Sequence, residues 1–394
     1  MDPVGTSLNV KLPIYLDNHA TTPVDPRVLE AMLPYLTARF GNAASHSHQF
    51  GWEAASAVEE ARRQIARLIG ASPAEIVFTS GATESDNLAI QGVVEAGADG
   101  VRGAHIITVA SEHKAVLDSC NYHQKSGCKV TYLPTGSDGL IDLDHLRDAL
   151  TPATVLVSIM AANNETGVLQ PVAEIGKLCR ERRVLFHSDA VQAVGKVPLD
   201  VKQMNLDLAS LTAHKNYGPK GCGALYVREG TRLAAMVHGG GHEHGMRSGT
   251  LNVPGIVGFG KASEISFAEM PEESCRIAGL RNRLRDKLLA ELTDVGINGS
   301  MEHRLPGNLN MSFRGVEGET LMTALKDVAV SGGSACHSDK VEPSHVLKAL
   351  GLSDDDASSA IRFGIGRFNT EAEIDYVAGR VVEAVKGLRG VLSI

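Results

Sequence analysis

Six short apolar runs, "EIVFTS", "AHIITVAS", "KVTYLP", "TVLVSIMA", "VLFHSDA" and "LASLTAHK", alternate with helical patterns through the first two-thirds of the chain. Runs of this length and β-rich composition read as strands buried on both faces. Between them, Asp25 and Pro26 form a cap and first-turn pair opening "RVLEAMLPYL". "WEAASAVEEARRQIARLIG" is amphipathic and stops at Gly70, and "PVAEIGKLCRERR" runs from Pro171 into arginines that complement a helix C-terminus. Alternating strand and helix implies a mainly parallel sheet flanked by helices, an α/β fold.

After about residue 258 the rhythm changes. A charged helix, "MPEESCRIAGLRNRLRDKLLAELTDV", leads to strands "GNLNMSFRG", "DVAVSGGSA" and "AIRFGIGRF". The pattern predicts a large domain over 21–258 and a smaller α+β domain over 259–394, joined by residues 1–20.

Several function classes are disfavoured. A net charge of −8 gives no footprint for holding a nucleic acid by counterion release, and no aromatic series offers stacking for bases. No run of ~18 apolar residues is present, and the N-terminus lacks a signal peptide's basic and apolar regions. Six scattered cysteines without a C-x-x-C pair read as reduced thiols in a cytoplasmic protein.

In parallel α/β sheets ligands bind beyond the carboxyl ends of the strands. There the chain places "GATES" with Thr83 at a helix start, Glu112-His113, Asn163-Asn164-Glu165, Asp189 with Gln192, and "TAHK" carrying Thr212, His214 and Lys215. A lysine between an apolar run and glycines is expected in a partly dry crevice, where a lowered pKa readies its amine for Schiff-base chemistry. Taken singly, each of these residues would more often be a cap, a turn residue or a solvated charge. Together, a lysine, a carboxylate and a helix terminus for an anion are what pyridoxal phosphate requires.

The segments "YLDNHATTPVDPRV", "FTSGATESDNLAI", "SEHKAVLD", "NNETGVLQ", "DAVQAVGK", "HKNYGPKG", "GMRSGTLN" and "SGGSACHS…EPSHVLKALG" follow in order along nearly the whole length. In them the chain resembles the cysteine desulfurases of the NifS/IscS group, which have the fold-type I architecture of pyridoxal phosphate-dependent transferases within the class V aminotransferase superfamily. The resemblance implies a reaction in which L-cysteine becomes L-alanine. Its sulfur passes as a persulfide on Cys336 to a protein acceptor of unknown identity, serving iron–sulfur assembly, tRNA thiolation or DNA phosphorothioate modification.

The same resemblance implies individual roles. Lys215 would bond the cofactor aldehyde and later shuttle the substrate's Cα proton, with His113 stacked on the ring and assisting. Asp189 would pair with the pyridine nitrogen, and Gln192 with the phenolic oxygen. Ala82 (through its backbone), Thr83, Thr212 and His214 would hold the phosphate, while Asn164 and Arg362 would take the substrate carboxylate. Thr250 would reach the phosphate of the other subunit of a homodimer. Cys336, in a polar stretch with little to bury, is expected to be exposed rather than packed.

Other readings compete. "MVHGGGHEHGMRSGT" places His238, His242 and His244 among glycines, a possible zinc site that lacks an acidic or thiol ligand; the dimer role for Thr250 is preferred, and no metal is expected. Related enzymes usually carry arginine at 244, a small or amide residue at 19 and serine at 212. The chain ends at "LRGVLSI" without the long tail that housekeeping relatives use on their scaffold, which leaves the acceptor open. A selenocysteine lyase or a class V aminotransferase is the alternative on this scaffold, although a transaminase has no use for Cys336.

Overall fold

The computed structural model describes residues 10–97, 100–332 and 343–391. Its central sheet has seven strands in the spatial order Ile76–Thr79, Gly223–Val227, Leu208–Thr212, Leu185–Asp189, Thr154–Ser158, His105–Val109 and Lys129–Leu133. All six expected runs are present. They point the same way, whereas Gly223–Val227 is antiparallel to both of its neighbours. This seventh strand, within "GCGALYV", was not among the six. The connection from Thr212 to Gly223 is too short for a helical crossover, so the chain can only return antiparallel.

The sheet is covered on both sides. The helix Gln49–Leu68 buries Ala54, Val58, Ala61 and Ile65 at helical spacing, and Gly70 follows it with φ +70°. This helix starts before Trp52 because His48 acts as its cap, its Nδ1 accepting the Gly51 N–H at 3.3 Å. Ile65, Phe78, Ile107, Val157, Phe186 and Leu211 share one core. Each is worth roughly 1.5–3 kcal/mol when fully buried.

The charged helix expected from Met270 instead runs unbroken from Val253 to Glu291. Asn252 caps it by accepting the Gly255 N–H, and Pro254 takes the first turn, where its missing N–H costs nothing. Pro271 lies inside the helix. The early turns pack on the helices Pro26–Leu36 and Gln49–Leu68, and the helix also packs on Glu371–Val391 and Asn308–Phe313.

A second, antiparallel sheet has the order Ser331–Gly332, Ala360–Gly364, Asn308–Phe313, Val295–Ile297. Its core joins Leu284, Leu288, Phe313 and Phe363 with Ile14 and Leu16 from the N-terminal segment. "DVAVSGGSA" divides into two short pieces: Val328–Ala329 pairs with Ile14–Tyr15, and Ser331–Gly332 joins the second sheet. No helix among the described residues is long and apolar enough to cross a membrane.

The histidine-rich segment 236–250 is fastened by a residue between its histidines. Glu243 is buried and meets the Arg62 guanidinium through two bonds of 2.9 Å, while its Oε2 also accepts the Phe78 N–H at 2.7 Å. Without this carboxylate Arg62 keeps only the exposed Glu59 at 3.0 Å and the Ile76 carbonyl oxygen, and breaking a buried pair typically costs about 3–5 kcal/mol. Glu243→Ala should therefore lower stability by about 3–5 kcal/mol in urea unfolding. A loss below ~1 kcal/mol would show that water replaces the carboxylate.

Candidate active site

The carboxyl ends of five strands, 76–79, 105–109, 154–158, 185–189 and 208–212, converge on a cavity of about 630 Å³, a size ordinary for a small-molecule site. Ala82, Thr83, His113, Asn164, Asp189, Gln192, Thr212, His214 and Lys215 line it. Arg362 closes it from the second sheet.

Lys215 is half-buried in the turn after strand 208–212. Its Nζ donates to the main-chain oxygens of His19 at 2.6 Å and Ala20 at 2.5 Å. Desolvation and the nearby Arg362 charge bring its pKa down to about 8, against partial support from Asp189 and Asp17.

Asp189 ends its strand buried. Its Oδ1 accepts the Val191 N–H at 3.0 Å, and its other oxygen has no hydrogen-bond partner among the described residues. Burial raises its pKa, while His113 and Lys215 pull it back. His113 is exposed at the cavity and caps the helix Lys114–Lys125, its Nδ1 accepting the Ala115 N–H at 3.2 Å. The neutral ring therefore carries its proton on Nε2. Desolvation by the cavity walls around the ring chiefly lowers its pKa; Asp189 opposes this, and Lys215 and His345 add to it.

At the other end, Gly81 precedes the helix Ala82–Ala96 and offers no side-chain cap, so the first-turn amides and the positive end of the helix stay available to an anion. Thr83, Thr212, His214 and Lys220 surround that terminus. His214 is held neutral by burial and by Lys215, its pKa down to about 4, with Nδ1 at 3.1 Å from the Thr21 hydroxyl.

Arg362 lies nearly buried in the strand Ala360–Gly364. It donates to the Asn164 carbonyl oxygen at 2.9 Å and to Asp17 Oδ1 at 2.7 Å, and its Nε has no partner among the described residues. Asn164 Oδ1 is likewise buried and unpartnered. An open guanidinium donor suits a small carboxylate ligand, and Asn164 would add to it through its amide nitrogen rather than through Oδ1. Glu165 also lines the cavity, its pKa pushed up to about 7 by burial against a bond from Ser344 and the Arg362 charge.

Ten of the expected site residues thus share one cavity. Thr250 is exposed and does not line it, and Cys336 lies outside the described residues. In the histidine-rich segment, His242 Nδ1 accepts the Gly249 N–H at 3.3 Å, while His238 and His244 are exposed. The one group of three possible metal ligands among the described residues is elsewhere: Asp86, His113 and Asp189, with ligand atoms within 4.8 Å of one another. The sequence names Glu165 only as a strand-end residue, and assigns no role to Lys220 or to Lys196 within "DAVQAVGK". His19, visible only as an unusual residue, proves to sit against Lys215 and Gln192.

A model of the family "Aminotransferase class-V" matches residues 14–377. "Cysteine desulfurase IscS" of Anaeromyxobacter sp. (strain K) is 59% identical over 382 residues, covering 96% of this chain and 94% of that protein. The protein of the same name from Rickettsia bellii (strain OSU 85-389) is 55% identical over 383 residues, 97% of this chain and 93% of its own length. Among solved structures, a "NifS-like protein" superposes with a TM-score of 0.89 at 40% identity, over 95% of this chain and 100% of that one. "SspA in complex with cysteine" does so with a TM-score of 0.80 at 37% identity, over 91% and 100%.

Proposed function

The chain belongs to the aminotransferase class-V family and is a cysteine desulfurase, and on that premise we propose that it binds pyridoxal phosphate and L-cysteine in the 630 Å³ cavity and passes sulfur to Cys336. The observation that carries this reading is the joint placement of Lys215, with a pKa near 8, and a buried Asp189 whose second carboxylate oxygen has no partner among the described residues.

The residues fit the cofactor. Lys215 would hold its aldehyde, Asp189 its protonated pyridine nitrogen, Gln192 its phenolic oxygen, and the helix terminus at Ala82 with Thr83, Thr212 and His214 its phosphate. When bound, pyridoxal phosphate supplies an electron sink for charge developing at the substrate's Cα. The chain's own groups do the rest. Arg362 and Asn164 take the substrate carboxylate and fix its orientation. Lys215 Nζ moves the Cα proton, with His113 Nε2 as its assistant.

The Cys336 thiolate attacks the substrate sulfur, so that an S–S bond forms as the C–S bond breaks. The electron pair of the broken bond stays with the substrate carbon, which takes a proton and leaves as alanine. Cys336 keeps the sulfur as a persulfide until an acceptor protein removes it. Iron–sulfur assembly is the favoured destination, supported by relatives named IscS. The test is incubation of the loaded enzyme with L-cysteine and a thiol reductant. Alanine and sulfide should appear in equal amounts, and pyruvate formation or amino transfer without sulfide would defeat the reading.

The protein further reads as a cytoplasmic homodimer. Leu29, Leu33 and Leu36 form an exposed apolar row on one helix, beside exposed Phe40, Phe50 and Trp52. A second copy covering this surface would also account for Thr250, which has no work in its own cavity. Sedimentation should give twice the chain mass, and Thr250→Val should weaken cofactor retention about 5–10-fold, the loss of one hydrogen bond to a charged group. A monomer with undiminished retention would contradict this assignment.

A further inference from the structure

Gln192 is clamped from three sides before any ligand arrives. Its Nε2 donates to the main-chain oxygen of His19 at 3.0 Å, which assigns the other amide atom as the carbonyl oxygen. That oxygen lies 3.0 Å from His19 Nδ1 and accepts from Lys196 Nζ at 3.2 Å. An acceptor facing Nδ1 fixes the tautomer: the His19 ring carries its proton on Nδ1 and presents a lone pair at Nε2. Nε2 is buried without a partner among the described residues, which is costly and would disfavour a histidine here unless the Nδ1 bond has a use.

The imidazole is kept neutral by burial and by the charges of Lys196, Arg362 and Lys215, so Nδ1 and not Nε2 holds the proton across the neutral range. Both donors therefore converge on one carbonyl oxygen. An amide whose oxygen accepts two hydrogen bonds is polarised and becomes a stronger donor through its nitrogen. Burial and the charges of Lys215 and Arg362 bring the Lys196 pKa down to about 7, so its share is greatest below that pH and the His19 bond carries the effect above it. Gln192 has one N–H left over, and its side chain borders the cavity.

We infer that His19 and Lys196 are positioning residues that lock the Gln192 amide and strengthen its free N–H toward the oxygen on the ring of the bound cofactor. This inference rests on the pyridoxal phosphate reading above. It assigns a task to the buried histidine at 19 and to Lys196, which the desulfurase reaction does not otherwise employ. A donor to the ring oxygen favours its ionised form, so weakening that donor moves the acid–base transition of the cofactor's visible absorption upward in pH.

The experiment is a pH titration of that absorption in the purified, cofactor-loaded enzyme and in His19→Ala, His19→Asn, Lys196→Met and Gln192→Leu variants, with circular dichroism as the folding control. His19→Ala should raise the midpoint by about half a unit or more. His19→Asn, which restores an N–H donor, should return it toward the wild-type value. Adding His19→Ala to Gln192→Leu should produce no further shift, because the effect runs through that amide. If His19→Ala does not fold, Lys196→Met carries the same expectation. A wild-type midpoint in the folded variants, or a His19→Ala shift that persists undiminished in the Gln192→Leu background, would overturn the inference. Wild-type protein that develops no visible band with added pyridoxal phosphate would instead defeat the cofactor reading itself, and the inference with it.

Discussion

Lys215→Ala should abolish turnover of L-cysteine, by at least ~10⁴-fold, and should strip the protein of covalently held cofactor. The loss combines two jobs of one amine. As proton carrier alone a positioned group contributes ~10²–10⁴-fold. As the attachment point it also supplies the bond that holds the cofactor in place. The environment prepares Lys215 for both. With its pKa near 8, about a quarter of the amine is neutral at pH 7.5, against about a thousandth for an ordinary lysine. Its two carbonyl partners, on His19 and Ala20, hold Nζ in place beforehand. Lys215→Arg keeps the charge but cannot make the bond, so it should fail equally. Borohydride treatment of the wild-type enzyme should fix the cofactor on the Lys215 peptide. Either variant turning over near the wild-type rate would contradict the assignment.

Cys336→Ala should have the second large effect, and a different signature. Its visible absorption should match that of the wild type, because nothing that holds the cofactor has changed. Sulfide production and alanine formation should both fall by at least ~10³-fold, since without a thiolate no nucleophile removes the substrate sulfur. The pairing separates this residue from Lys215: one variant loses cofactor and reaction, the other the reaction alone. A Cys336→Ala enzyme that still releases alanine at the wild-type rate would mean that the carbon–sulfur bond breaks without this thiol.

Much of this was legible in the chain because α/β sheets place polar residues at strand ends by topology. Once "LASLTAHK" reads as a strand, Lys215 must emerge at its carboxyl end, beside Asp189 from the neighbouring strand and on the same edge of the sheet as Thr83, which follows strand 76–79. The order of the motifs then added roles that periodicity could not assign. What stayed hidden depends on long-range contact. His19 and Gln192 are 173 positions apart, and only the packing of the N-terminal segment brings them together. Lys196 looks like any lysine after a glycine until its Nζ is seen on the Gln192 oxygen. The buried Glu165 carboxyl depends on Ser344 and Arg362, both far along the chain. Local signals failed in one instructive case. The charged helix is expected from Met270, but Asn252 caps that helix at its true beginning.

The central claim is that sulfur moves from L-cysteine to one thiol of this chain. Loaded enzyme mixed with a single equivalent of L-cysteine, without reductant, then alkylated and digested, tests it most directly by peptide mass. The account predicts one extra sulfur atom on the peptide containing Cys336, one alanine released per sulfur bound, and neither product in Cys336→Ala. Extra sulfur on Cys275, the one exposed thiol among the described residues, or alanine released with no sulfur retained on Cys336, would contradict it.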